Sequence, residues 1–203
     1  MPNIERNREV WNSSYDWKTR GEEWSSPWGN SEAQWFGSIY PRIHRFLPCE
    51  TILEIAPGYG RWTDYLRRYC NRLSVVDLSE NCIRACQERF KGDEHISYYV
   101  NDGKSLAMLP GDSFDFVFSF DSLVHAETES LEGYISQFAK ILKPNGSGFL
   151  HHSNLAMYEG YFKSVNAIPA PVRARLANGN IIDDDRWRAG GMSAAKFDDA
   201  CEK

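Results

Sequence analysis

The chain has 203 residues, 42% of them hydrophobic and 14% aromatic, which is enough apolar material for one domain with a sizeable core. A formal net charge of −5, with no basic run or stripe, argues against a nucleic-acid partner. The five cysteines are odd in number and lack CxxC spacing. No signal-peptide pattern precedes the fold and no apolar run approaches membrane length, so the expectation is a cytoplasmic protein with no membrane contact.

Residues 1–47 read as an aromatic-rich arm or lid, and residues 48–203 as the core, with an insertion at about 155–190. Five of the seven tryptophans, Trp11, Trp17, Trp24, Trp28 and Trp35, fall in the arm. Exposed indole is unfavourable, so the rings either pack the arm onto the core or line a pocket beneath it. Ser31 is expected to cap a helix running toward Leu47, kinked near Pro41.

The core opens at Thr51-Ile-Leu-Glu-Ile-Ala-Pro-Gly-Tyr-Gly60. Ile52, Leu53 and Ile55 form a short apolar run suited to a buried parallel strand. Gly58 and Gly60 turn the chain, and Trp62, Tyr65, Leu66 and Tyr69 then share one face of a helix predicted over Arg61–Tyr69. A dinucleotide fingerprint would need glycine at 56, 58 and 61, where this chain has Ala56, Gly58 and Arg61. Strand two is predicted at Leu73–Asp77, which places the Asp77 carboxylate to accept both hydroxyls of a ribose. Ser79 caps the next helix, with Ile83, Cys86 and Phe90 inward. Strands follow at Ile96–Val100 and Phe114–Phe120, then a helix at about Thr128–Leu142 that Lys143-Pro-Asn-Gly146 ends. Ser147–His152 is the fifth strand. This alternation is an α/β architecture, a Rossmann-like doubly wound sheet with ligands at its carboxyl edge.

The Asp183-Asp184-Asp185 run reads as a solvated loop rather than a metal cluster. Ser193 is predicted to cap a last helix from about Ala194, with Met192 and Phe197 as a staple and Phe197, Ala200 and Cys201 inward. No strand-forming run follows, which leaves an edge of the fifth strand uncovered. The expectation is an incomplete copy with C-terminal strands missing, or an edge covered by residues 155–190 or a second subunit, so a homodimer is one option.

Glu54-x-Ala56-x-Gly58-x-Gly60, the acidic strand end at Asp77 and Asn101-Asp102-Gly103 together resemble class I S-adenosylmethionine (SAM) methyltransferases over roughly residues 45–155. The resemblance implies that SAM is the cofactor and that Glu54, Ala56, Gly58 and Gly60 hold it at the first loop. It likewise implies Asp77 and Leu78 at the second strand, Asp102 and Gly103 near the adenine, and Phe120 after the fourth strand. Asp121 and His125 are spaced as in quinone-pathway O-methyltransferases that hold a divalent metal such as magnesium with a further acid, but that further position is Val124. The absence of paired prolines after Phe120 points to O-methylation. Trp28–Trp35, Glu54–Trp62 and Phe149–Asn154 resemble bacterial sugar O-methyltransferases, nearest those acting on mannosides in mycobacterial polysaccharide synthesis.

The expected reaction is in-line methyl transfer to a hydroxyl of a sugar or oligosaccharide, with His152 as the base, His125 second to it, and Asp121 orienting the histidine or the sugar. His151 shares the edge with His152. Two rivals stand beside this reading. One is a methyltransferase for a non-sugar small molecule such as a phenol; the other is a non-catalytic SAM-binding module.

Overall fold

The computed structural model describes residues 2–184 and 187–202. Five parallel strands form one sheet in the order β3-β2-β1-β4-β5, with β1 at Cys49–Ile55, β2 at Cys70–Asp77, β3 at Ile96–Val100, β4 at Phe114–Ser119 and β5 at Leu142–Leu150. Ile52 pairs with Leu73 on one side and with Phe116 on the other. The strand order reverses between β1 and β4, and a ligand crevice forms at such a switch point.

Side chains alternate across the sheet, so neighbouring strand residues build two cores. One face gathers Ile52, Leu73, Val75, Phe116 and Phe118 with Trp35, Ile39, Ile43 and Leu66. The other gathers Leu53, Val76 and Val117 with Leu131, Ile135, Phe138 and Met192. Helix α1 spans Ile4–Glu9; α2 (Ser31–Gln34) and α3 (Tyr40–Ile43) are joined by a wide turn at Trp35–Ile39, and Pro41 sits in the first turn of α3. Asn30 caps α2, its side chain accepting from Ala33 N at 2.7 Å, whereas the expected cap, Ser31, meets the Tyr65 hydroxyl at 3.0 Å. Trp35, Ile39 and Ile43 are fully buried. The segment from 31 to 46 therefore packs as core, and the part that reaches beyond the sheet is residues 2–30.

Helix α4 is short, Thr63–Leu66, with turns on either side, although Trp62 and Leu66 bury as their spacing predicts. Helix α5 (Glu80–Arg89) is capped by Ser79 as expected, its hydroxyl accepting from Cys82 N at 3.2 Å. Helix α6 (Thr128–Ile141) runs straight into β5, and Lys143–Gly146 lie inside the strand. The pairing accommodates them by a register shift between Phe114 and Phe116. Strand β5 ends at Leu150, so His151 and His152 lie just past it, although His151 N still donates to Ser119 O. Helices α7 (Glu159–Ala167) and α8 (Ala170–Asn178) make up the insertion and bury only Val165. Helix α9 (Ala194–Cys201) is capped by Ser193; Phe197 and Ala200 face the second core, but Cys201 is exposed. Among the described residues no strand pairs with the outer edge of β5. No helix among them is long and apolar enough to cross a membrane.

Candidate active site

The carboxyl ends of β1, β2 and β4, closed over by the arm, enclose a cavity of about 540 Å³. That volume lies within the usual range for small-molecule sites. Its floor comes from the first strand–helix loop. Ala56 takes φ +57° and Gly58 φ +56°, so the chain turns in the left-handed region that glycine prefers. Ala56 accepts this at a cost of about 1–2 kcal/mol. Gly60, at φ +80°, is a packing position instead: an added Cβ would stand 2.6 Å from the Phe90 ring, and the residue does not line the cavity.

Asp77 faces the cavity from the end of β2 and is 5% exposed. Its two oxygens accept from Ser79 N at 2.8 Å and Gly58 N at 3.2 Å. Burial pushes its pKa up to about 6 against those two bonds. Leu78 and Gly103 line the cavity beside it, and Ile4 of the arm packs on Gly103. This wall fits the nucleoside of SAM: a buried carboxylate with lone pairs for ribose hydroxyls, next to an apolar slot.

Besides Gly60, two more of the expected cofactor residues stand off the cavity wall. Glu54 is buried behind the loop, where its carboxyl accepts from Thr63 Oγ1 at 2.6 Å, and it is not on the cavity wall. Burial raises its pKa to about 8, the nearby Asp77 adding to the shift while the Thr63 bond opposes it. Asp102 is exposed and closes its own turn, accepting from Lys104 N at 2.9 Å and Ser105 N at 2.7 Å. It lines a neighbouring pocket, on the other side of Leu78 from the cavity.

The loops after β4 and β5 bring together Phe120, Asp121, His125 and His151, all on the cavity wall. Asp121 Oδ1 lies 3.2 Å from His151 Nδ1, and Asp121 Oδ2 accepts from Arg61 at 2.6 Å. Burial alone would raise the Asp121 pKa; the bond from His151 and the Arg61 guanidinium outweigh it and hold the carboxyl below the usual range. The His151 ring stacks on Phe120 at 4.7 Å. His125 Nδ1 is 2.5 Å from Trp187 O, and its ring packs 5.2 Å from Trp11. His152 points away: its ring stacks on Phe197 of α9 at 4.4 Å and Nδ1 lies 2.7 Å from Ser153 O. It is not on the cavity wall. A strand alternates its faces, so two consecutive histidines at its end go to opposite sides.

The arm forms the roof. Trp11, Tyr15, Trp17 and Trp24 lie 4.9–6.0 Å apart, ring to ring, in every pairing. That is close packing. The knot presents only its outer faces to the cavity, while Trp17 also stacks on Tyr59 at 4.5 Å and covers Gly58. Trp28 stands at the rim, 47% exposed. The arm's rings both pack on one another and line the cavity, which joins the two alternatives the sequence left open, and Arg61 is the site residue that motif spacing missed. The available signal was position, since Arg61 directly follows the glycine turn.

Among the described residues, no three His, Cys, Asp or Glu side chains converge as a metal site, and Val124 is buried where a third ligand was sought. Asp184 pairs with Arg173 at 3.4 Å, and Asp185 lies outside the described residues.

Residues 52–146 match the family model of a methyltransferase domain. The fold is that of the class I SAM-dependent methyltransferases. Of solved structures, the PH0226 protein of Pyrococcus horikoshii superposes with a TM-score of 0.63 at 20% identity, over 96% of this chain and 85% of that one. Phosphoethanolamine N-methyltransferase 1 of Triticum aestivum is 29% identical over 119 residues, 56% of this chain and 24% of that protein. Ribosomal RNA small subunit methyltransferase A of Coxiella burnetii is 34% identical over 53 residues, 26% of this chain and 20% of that protein. The chain thus spans a quarter or less of these two relatives.

Proposed function

We propose that the chain uses SAM to methylate a hydroxyl of a small molecule, of which a sugar is the favoured class. The observation that carries the reading is the Asp121–His151 pair, which lines the same cavity as Asp77. SAM supplies an electrophilic methyl on a sulfonium. Asp77 accepts the ribose hydroxyls, Gly58 keeps the floor low beside them, and Leu78 and Gly103 flank the adenine. Asp121 and His151 deal with the acceptor proton. A hydroxyl is a poor nucleophile at neutral pH, so a base within hydrogen-bond reach is needed.

His151 Nδ1 has two neighbours that call for different tautomers, Asp121 N at 3.3 Å and Asp121 Oδ1 at 3.2 Å. In the form that donates Nδ1–H to Oδ1, Nε2 is the basic atom and Asp121 steadies the imidazolium that results. The base assignment therefore moves from His152 to His151. The indoles cover the cavity on the arm side, and His125 helps hold that roof through Trp11. Trp28 at the rim offers an indole face to the C–H face of a sugar ring, the kind of contact that favours a carbohydrate acceptor.

One finding favours a second reading. The wheat relative is named for N-methylation of phosphoethanolamine, and the same pair would take the proton of an ammonium group. Label transfer from methyl-labelled SAM to mannosides, phenols and amines, phosphoethanolamine included, separates these readings. Label on a sugar oxygen is the expected result. Label on amines alone would overturn the hydroxyl reading, and tight SAM binding with no transfer to any acceptor would leave a binding module.

A further inference from the structure

The roof reaches the Asp121–His151 pair through one side chain. Arg61 is 4% exposed, and its two terminal nitrogens serve different masters. One donates to Ser25 Oγ at 2.8 Å, the other to Asp121 Oδ2 at 2.6 Å. The guanidinium plane lies over Trp62 at 4.4 Å and Trp24 at 5.3 Å. Ser25 and Trp24 belong to the arm, and Ser25 is fully buried. A buried guanidinium is tolerated only when its hydrogens are matched, so its position is set by both partners together. Asp121 needs that support, because its backbone sits at φ +66° and its other oxygen is the one facing His151.

We propose that Arg61 is a positioning residue that makes the alignment of Asp121 and His151 depend on the seating of the arm. The base is then set only when the roof is closed over the cavity. The inference rests on the reading of His151 as the base. The titratable groups around the guanidinium are Asp121 from the β4 loop, Glu22 and Glu23 from the arm, and Glu54, kept protonated by burial, beneath the first loop; His151 faces Asp121 from beyond β5. Lysine at 61 would keep the charge but lose the fork, since one ammonium cannot hold Ser25 and Asp121 in fixed geometry.

The test compares Arg61→Lys, Ser25→Ala, His151→Ala and the double variant Arg61→Lys/His151→Ala in SAM-dependent turnover. SAM affinity is followed by calorimetry and kcat across pH. Arg61→Lys is expected to lower kcat about 10- to 100-fold, the scale of a base misplaced by about an ångström, with SAM affinity unchanged. The acid limb of the kcat profile should move to lower pH, because an imidazolium less well held by Asp121 gives up its proton more readily. Ser25→Ala should shift the limb in the same direction with a smaller loss, and it decides the matter if Arg61→Lys fails to fold. On the His151→Ala background the Arg61→Lys change should cost nothing further. An unmoved pH limb, or losses that multiply in the double variant, would overturn the linkage. Full turnover in His151→Ala alone would instead remove the base assignment, and the linkage with it.

Discussion

Asp77 and Glu54 sit on neighbouring strands, two buried carboxyls with different work. Asp77 faces the cavity with lone pairs to offer, so Asp77→Ala should weaken SAM binding by about 1.5–3 kcal/mol, the value of a hydrogen bond to a charged group. Calorimetry giving unchanged affinity in a folded variant would reject its place at the ribose. Glu54 hydrogen-bonds to Thr63 and does not line the cavity, so its effect belongs to stability. Its pKa rises from 4.5 to about 8 on folding, so the folded state holds the proton over that interval and the unfolded chain does not. Stability from this group is full below about pH 4.5 and is lost as pH rises through about 8. Asp77 acts in the same direction but only up to about pH 6. Between pH 6.5 and 8, urea unfolding of the ligand-free protein should therefore show stability falling with pH, by up to about 1.4 kcal/mol per unit. Glu54→Gln should flatten that slope, and an identical slope in the variant would place the titration elsewhere. From sequence the two acids looked alike, each closing a short apolar strand. What separates them is the direction each side chain takes, a property of sheet twist and loop path that spacing does not carry.

The elements with strong periodic or capping signals were legible. Strand β1, the Ser79 cap, the Ser193 cap and the apolar face of α6 follow from local residues alone. The less legible places are those where tertiary contacts overrule local chemistry. Lys143-Pro-Asn-Gly146 reads as a helix stop and a turn, yet pairing with β4 draws these residues into a bulged strand. The helix after Gly60 is cut to Thr63–Leu66 because the chain must rejoin the sheet at Cys70. Gly60 itself looked like a cofactor glycine, and its contact with Phe90 could not be read from the motif. Gly60→Ala should destabilise the fold by about 2–5 kcal/mol, from overpacking against Phe90 together with the left-handed backbone. SAM affinity of the folded fraction should hold. A thermal midpoint equal to wild type would contradict the packing role.

At the scale of the molecule, the aromatic arm and the two-cored sheet meet over one cavity, and the sheet supplies the chemistry. The arm's tryptophan density was visible at once, but not its division: Trp35 belongs to the core, three rings pack on one another, and Trp28 alone of the five stands exposed at the rim. Indole spacing without a regular period does not say which neighbour each ring will choose. The pairing of loops beyond β4 and β5 was readable from topology, since adjacent strands bring their ends together. Which of the consecutive histidines faces the cavity was not. The most direct measurement is therefore SAM-dependent turnover of His151→Ala beside His152→Ala, each shown to be folded and to bind SAM. Loss of a general base predicts a fall of about two to four orders of magnitude for His151→Ala and turnover near wild type for His152→Ala; the reverse pattern would contradict the account.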